Sequence, residues 1–405
     1  MLIYWIWYAG LSGISLAQKL ALLQHFRDPE EIFHAEAVRL RQIPGVTAQI
    51  LTALENKSLS EAEAVLTDCT EKGIGILTLG EERYPDRLRN TYDPPLVLYF
   101  NGKLPNWEEV PVIGIVGTRK ASTYGLNTAL RFGKQIAACG ALVVSGGASG
   151  IDTMAMEGAL EAGRQVVGVL GCGVDVVYPK TNKLLFSRVV KNGCLLSEYP
   201  PKTQPAPWRF PERNRIISGL SNGLLVVEAP QKSGALITAN RALEQGRDVF
   251  AVPGNIDVPS CAGSNGLLQE RAIAALSGWD VVKEYAVLYP GRLTRQELPV
   301  LTGEAELQVA ENQTVPEIFA KSNVENDKKS IDKDEKSTYS VLDKQLPALS
   351  EAERAVLAFI QKTPVGVDEV IAQAELPAGV VKSILTKLAL KGLAVNHPGG
   401  RVSRK

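Results

Sequence analysis

Residues 142–152, LVVSGGASGID, set Ser145, Gly146, Gly147 and Gly150 between a short apolar run and a helical pattern. Glycines at a strand-to-helix turn let the backbone approach an anion closely, and the first amides of the following helix point outward toward it. The chemistry on offer is phosphate binding, with Ser145 adding a hydroxyl donor; a tight turn with no ligand is the plainer alternative. A dinucleotide fingerprint does not fit. Its G-x-G-x-x-G pattern would need a glycine where Ser145 stands, and the acidic residue due about 20 positions on is missing, since the next run ends in Gly171 and Cys172.

Other apolar runs end in polar groups of the same kind. VIGIVG leads into Gly117, Thr118, Arg119, Lys120 and Ser122, and VVGVLGCG into YPKTN with Lys180 and Asn182. RFPERNR carries Arg209, Phe210, Arg213, Asn214 and Arg215; QKSGALITA carries Lys232, Ser233, Gly234 and Thr238. If the runs are parallel strands, all these loops lie along one edge of a sheet and form an anion groove. Tyr178 and Phe210 sit in the right loops to stack on bases, and either equally suits the core. The structural alternative pairs Arg213 and Arg215 with Glu212, Glu228 or Glu198 and uses Asn214 as a helix cap.

What the groove lacks limits its chemistry. The three histidines, His25, His34 and His397, all fall outside the central region, and there is no G-x-x-x-x-G-K-[ST] run for a nucleoside triphosphate. Asp152, Glu198 and Glu228 are candidate acids or bases, but each equally suits a cap or an arginine pair. Binding without turnover is therefore expected, with no cofactor. Five cysteines lie far apart with no C-x-x-C pair, which argues against a structural metal and for a reduced, cytoplasmic setting. The N-terminal MLIYWIWYAGLSGISLAQ is apolar, yet it has no basic flank and is broken by Gly10, Ser12, Gly13 and Ser15, so membrane insertion is not expected.

Four segments must position these groups. Residues 1–75 read as short helices joined by GLSGIS and QIPGVTAQIL, a pattern similar to a helix-hairpin-helix or SAM-like unit, whose glycine turns either meet a phosphate or merely connect packed helices. Residues 76–290 alternate apolar runs with amphipathic stretches, which predicts an α/β, Rossmann-like, doubly wound and mostly parallel sheet. Residues 291–346 include KSNVENDKKSIDKDEKSTYS and read as a flexible linker. Residues 347–405 show three helical segments and a terminal hairpin, a winged-helix pattern that serves DNA or protein partners. Lys plus Arg and Asp plus Glu both total 44, but the first 110 residues are net acidic while residues 111–290 are net basic, which puts any polyanion at the centre.

The runs IVGTRKASTYG, VVSGGASGID, VLGCGVDVVYPKTN, LLSEYP, FPERNRIISGLSNGLLVVEA, SGALITANRALEQGRDVFAVPGN and GSNGLL, in this order, resemble the DNA-processing protein A family, DprA or Smf. The resemblance implies binding of single-stranded DNA, its protection during natural transformation, loading of the recombinase RecA, and a homodimer formed through the Rossmann-like domain. Carried over residue by residue, it implies DNA contacts at Arg119, Ser122, Ser145 to Gly147, Lys180, Asn182, Arg213 to Arg215, Ser233, Gly234 and Thr238. Two positions depart from the family pattern: Met156 replaces a histidine, which removes a polar group expected near the groove, and Arg271 replaces a glycine in the last helix. Two other functions stay open on the residues alone. A phosphoribohydrolase-like enzyme would need a catalytic glutamate where APQKSGALITA has none, and a winged-helix regulator would bind duplex DNA without the first 300 residues.

Overall fold

The computed structural model describes residues 1–296 apart from 271, and in the tail residues 356–360, 363, 365–374, 381, 384, 385, 388, 393–397 and 401–404. The linker expectation from 297 on, parts of the tail helices and Arg271 lie outside the described residues. The chain divides into two units, Met1–Pro299 and Val300–Lys405.

The first unit opens with six helices: α1 (Leu2–Gly10), α2 (Leu16–Leu23), α3 (Pro29–His34), α4 (Ala37–Arg41), α5 (Ala48–Glu55) and α6 (Ser60–Lys72). Sharp joints make such short helices possible. Gly13 and Gly45 sit at φ +80° and +84°, a region that side chains with a Cβ avoid. Ser15, Asp28 and Thr47 cap α2, α3 and α5 by accepting a backbone N–H three residues on. Ile43 and Val46, flanking the second glycine turn, pack against the core. Helix α1, for all its apolar content, is nine residues long, and among the described residues no helix is long and apolar enough to cross a membrane.

Then follow β1 (Gly75–Thr78), α7 (Asp86–Arg89), β2 (Val97–Gly102) and β3 (Val112–Val116). From β3 strands and helices alternate through α8 (Thr123–Ala138), β4 (Leu142–Ser145), α9 (Ile151–Glu161), β5 (Val166–Val169), α10 (Lys183–Lys191) and β6 (Gly193–Ser197). The order continues with α11 (Arg209–Leu220), β7 (Gly223–Val226), α12 (Gly234–Glu244), β8 (Asp248–Ala251), α13 (Ala262–Glu270), β9 (Ile273–Ala274) and α14 (Gly278–Val282). The sheet order is β1-β2-β6-β5-β4-β3-β7-β8-β9, parallel throughout except that β2, near one end, pairs antiparallel with both β1 and β6. This is the expected Rossmann-like doubly wound sheet. The strands before β3, GILT and VLYFNG, escape the periodic reading, because only the four-residue α7 lies between them where a strand-and-helix alternation would need an amphipathic stretch.

Strand β3 shows why both faces are covered. Successive side chains point to opposite faces, and Ile113 and Ile115 join one core with Phe132, Ile136, Ala155 and Phe186, while Val112 and Val116 join another with Ile216, Ile217, Leu220 and Ala239. The first core also takes in Trp5, Tyr8 and Leu54, so the helical segment shares the face covered by α8, α9 and α10. The chain builds β4 to β6 on one side of β3 and then returns to build β7 to β9 on the other. The winding therefore reverses between β3 and β7, and the loops that carry the candidate residues leave the carboxyl ends on either side of that point.

Helices α8 and α9 cross without side chains between them. A Cβ at Gly133 would lie 2.1 Å from the Ala155 carbonyl oxygen, and one at Gly158 would lie 2.0 Å from that of Leu130. The five cysteines are buried and unpaired.

The second unit holds a three-stranded antiparallel sheet, β10 (Val365–Gly366), β12 (Arg401–Arg404) and β11 (Ala394–His397) in that order, with α15 (Val367–Gln373). It has a core of its own that includes Val356, Ile360, Val370, Val381, Leu388 and Val402.

The α8–α9 crossing yields a stability prediction. Gly133→Ala should force the helices apart and lower the unfolding free energy by about 1–3 kcal/mol, read as a lower urea midpoint; an unchanged midpoint would show that the crossing yields without strain.

Candidate functional site

At the carboxyl edge the glycine loop after β4 already holds an anion. Asp152, in the first turn of α9, turns its carboxylate back onto the loop, where its Oδ2 accepts the Ala148 N–H at 3.4 Å, and the Gly146 amide also donates to it. Ile151 N–H, the first amide of the helix, donates to the Thr118 carbonyl. The amides of Gly146, Ala148 and Ile151 are thus used by the chain itself. Ser145 is likewise committed: it is buried, and its hydroxyl donates to the Ile115 carbonyl at 2.7 Å instead of pointing outward.

The same arrangement recurs at α8. Ser122 caps the helix by accepting Gly125 N–H, while its own N–H and hydroxyl donate to the fully buried carboxylate of Glu228, the hydroxyl at 2.8 Å. A Cβ at Gly125 would lie 1.8 Å from Glu228 Oε2, so only glycine admits this carboxylate. Thr118 N–H donates to the Glu228 carbonyl, which ties the loop after β3 to the loop after β7.

The arginines of α11 divide between two tasks. Positions 213 and 215 lie about 200° apart around a helix and cannot face the same way. Arg213 reaches over the sheet edge, where its Nη1 donates to the Val169 carbonyl at 2.5 Å. It lies against Gly146 and Asp152: a Cβ on Gly146 would be 2.1 Å from Arg213 Nη1 and 2.6 Å from Asp152 Oδ2. Burial pushes the Arg213 guanidinium down to about 10, opposed by the Asp152 charge, and burial raises Asp152, opposed by Arg213. Arg215 turns away. Its Nη2 meets both oxygens of Glu198 at 2.7 Å and its Nη1 donates to the Asp93 carbonyl at 2.6 Å. Arg215 thus forms the ion pair with Glu198 that the sequence left open as its structural alternative.

Asn182 and Thr238 are also turned inward. Asn182 donates from Nδ2 to the Gly147 carbonyl at 2.9 Å and to Thr153 Oγ1 at 2.8 Å, holding the glycine loop from behind. Thr238, buried, donates to the Gly234 carbonyl within α12, which Ser233 caps through Ala235 N–H. Asn214 is half-buried, and Lys120, Lys180, Lys232 and Gly234 are exposed.

An outward-facing rim remains. The exposed Arg119 lies over the Phe210 ring at 5.1 Å, and Phe210 stacks with Tyr178 at 5.5 Å between centroids and 30° between planes. Phe210 rests on Gly171, where a Cβ would come within 2.9 Å of its ring. Beside this stack, Arg209 lies over both Tyr199 at 5.0 Å and Trp208 at 4.7 Å. Neither Tyr199 nor Trp208 stands out in the sequence, although the alternation of aromatic and basic residues in WRF is visible there. Met156 differs from its expected place near the groove: it is fully buried in the core, its methyl 3.0 Å from where a Gly168 Cβ would stand.

Comparison with known proteins agrees with this layout. A family model described as DNA recombination-mediator protein A matches residues 75–286, and one described as the DprA winged helix domain matches residues 342–400. Protein Smf of Synechocystis is 31% identical over 407 residues, covering 99% of this chain and 98% of that one. DNA processing protein DprA of Bacillus subtilis is 44% identical over 220 residues, 54% of this chain and 74% of the relative. The X-ray structure of DNA processing protein A from Streptococcus pneumoniae superposes with a TM-score of 0.62 at 34% identity, covering 70% of this chain and 98% of that one.

The division of the arginines is testable by stability. Arg215→Ala leaves Glu198, whose carboxyl burial already pushes up against the pull of Arg215, without its counter-charge, and should cost roughly 3 kcal/mol at neutral pH. A raised folded carboxyl favours the folded state only while protonated, so the gap to the wild type should narrow as pH falls toward the ordinary glutamate range near about 4.3. Urea titrations at two pH values check this; a gap that stays constant with pH would refute the pairing.

Proposed function

The chain belongs to the DNA recombination-mediator protein A family, DprA or Smf, and on that premise we propose that the carboxyl-edge rim of its sheet binds single-stranded DNA without turning it over. The observation that carries the reading is the stack of the exposed Arg119 on the half-buried Phe210 and Tyr178 rings, with the exposed Lys180 two residues past Tyr178. Aromatic faces accept any unpaired base, while cations beside them neutralise the backbone. Arg119, Lys120, Lys180 and Lys232 would meet phosphates, and Phe210 and Tyr178 would stack bases. Gly117, Thr118, Ser122, Ser145, Gly146, Gly147, Asn182, Arg213, Asn214, Ser233, Gly234 and Thr238 would shape the loops that present them.

The absence of turnover rests on what the carboxylates do. Glu228 receives the cap of α8, Asp152 sits in the glycine loop beside Arg213, and Glu198 pairs with Arg215, so each acid in the central region with a strategic position already has partners. Family membership further supports a cytoplasmic role in protecting incoming DNA, handing the strand to RecA, and acting as a homodimer, with the winged helix engaging a second partner. Incubation with nucleoside monophosphates should release no free base.

Labelled oligo-dT should bind the purified protein more tightly than a matched duplex, with affinity falling as salt rises. Arg119→Ala should weaken binding and flatten the log–log salt dependence by about 0.7 per lost contact, without changing the unfolding midpoint. Equal affinity for strand and duplex, or an Arg119→Ala protein that binds like the wild type, would sink the reading.

A further inference from the structure

We propose that Trp208, backed by Arg209 and Tyr199, is a second stacking seat for an unpaired base, next to the groove built on Phe210; the inference rests on the single-strand reading above. Trp208 is 56% exposed, whereas Trp5, Trp7 and Trp107 are buried and Trp279 is half-buried. An indole left in water forgoes substantial burial, and here its neighbours hold it there. Arg209 covers it at 4.7 Å, and the Tyr199 ring meets it edge-on at 6.3 Å and 87°. Tyr199 is in turn fixed by donating its hydroxyl to Glu212 Oε2 at 2.9 Å, and Arg209 is fixed by donating Nη1 to the Gln204 carbonyl. A ring already immobilised loses little freedom on binding.

The surroundings select a base over a phosphate. Arg209 is engaged by two rings and a carbonyl, and the exposed carboxylate of Glu212, held by the Tyr199 hydroxyl, repels an anion. A neutral π face is what the indole can take. Continuity with the groove comes from the chain itself: Trp208 and Phe210 flank Arg209, so their Cα atoms are at most about 7 Å apart. A strand with one base on Phe210 passes within reach of Trp208, and α11 starts between the two seats.

Intrinsic fluorescence provides the test. Titrating wild-type protein with unlabelled oligo-dT should quench tryptophan emission, because only Trp208 among the tryptophans is substantially exposed. Trp208→Phe should still bind but lose the quench, and Trp208→Ala should bind labelled oligo-dT roughly ten-fold more weakly, with the urea midpoint unchanged in both. A matched duplex should leave emission unaltered. The inference is overturned if Trp208→Ala binds as tightly as wild type, if the quench survives in Trp208→Phe, or if the duplex quenches equally. Where oligo-dT binds and Arg119→Ala weakens it but Trp208→Ala does not, this seat fails and the groove stands; where the wild type binds no oligo-dT, both fall.

Discussion

Two buried carboxylates organise the carboxyl edge of this sheet. In a doubly wound fold the helix amides next to the point where the winding reverses are the natural seat of a nucleotide phosphate. Here Glu228 lies beside the start of α8, accepting the Ser122 N–H and hydroxyl, and Asp152 lies beside the start of α9, accepting loop amides at Gly146 and Ala148. Each carboxylate draws in its own consequences. Gly125 must lack a Cβ to admit Glu228, and Gly146 must lack one so that Arg213 can lie beside Asp152. The glycine richness that suggested an open cradle is explained by packing around internal anions.

This changes which groups can meet a polyanion. The groups left at the rim of this edge are the exposed Arg119 and lysines, beside the half-buried rings of Tyr178 and Phe210. Rim cations and stacked rings recognise a repeating backbone with accessible bases better than they recognise one isolated phosphate, since each contact is modest and the sum grows along a strand.

Much of the fold was legible. Continuous apolar runs such as VIGIV and LVVS could only be strands covered on both faces, and the polar groups following each run had to share one edge. What the one-dimensional pattern could not show was direction. Arg213 and Arg215 look equivalent in ERNR, yet 200° of helix rotation sends one over the sheet edge and the other to Glu198. Ser145, Asn182 and Thr238 have the right chemistry for a ligand, but each hydroxyl or amide is turned to a nearby carbonyl or hydroxyl of the chain itself. Such residues are essential to the shape of the loops and silent about the ligand, and spacing cannot separate the two roles. Strands β1 and β2 escaped because they pair antiparallel and are joined by a segment whose helix α7 is only four residues long, so no alternation of strand and amphipathic helix marks them.

Burial also explains why Met156 is tolerable where a polar residue was expected. The position faces the core between α9 and the sheet, against Gly168, and not the groove. A histidine there would need a hydrogen-bond partner in an apolar setting, whereas methionine fills the same volume with a flexible thioether and demands none. The departure therefore acts on packing beneath the glycine loop. Since the loop is held from below by this packing, from behind by Asn182 and from inside by Asp152, its conformation is overdetermined, and a single change at 156 leaves the rim residues where they are.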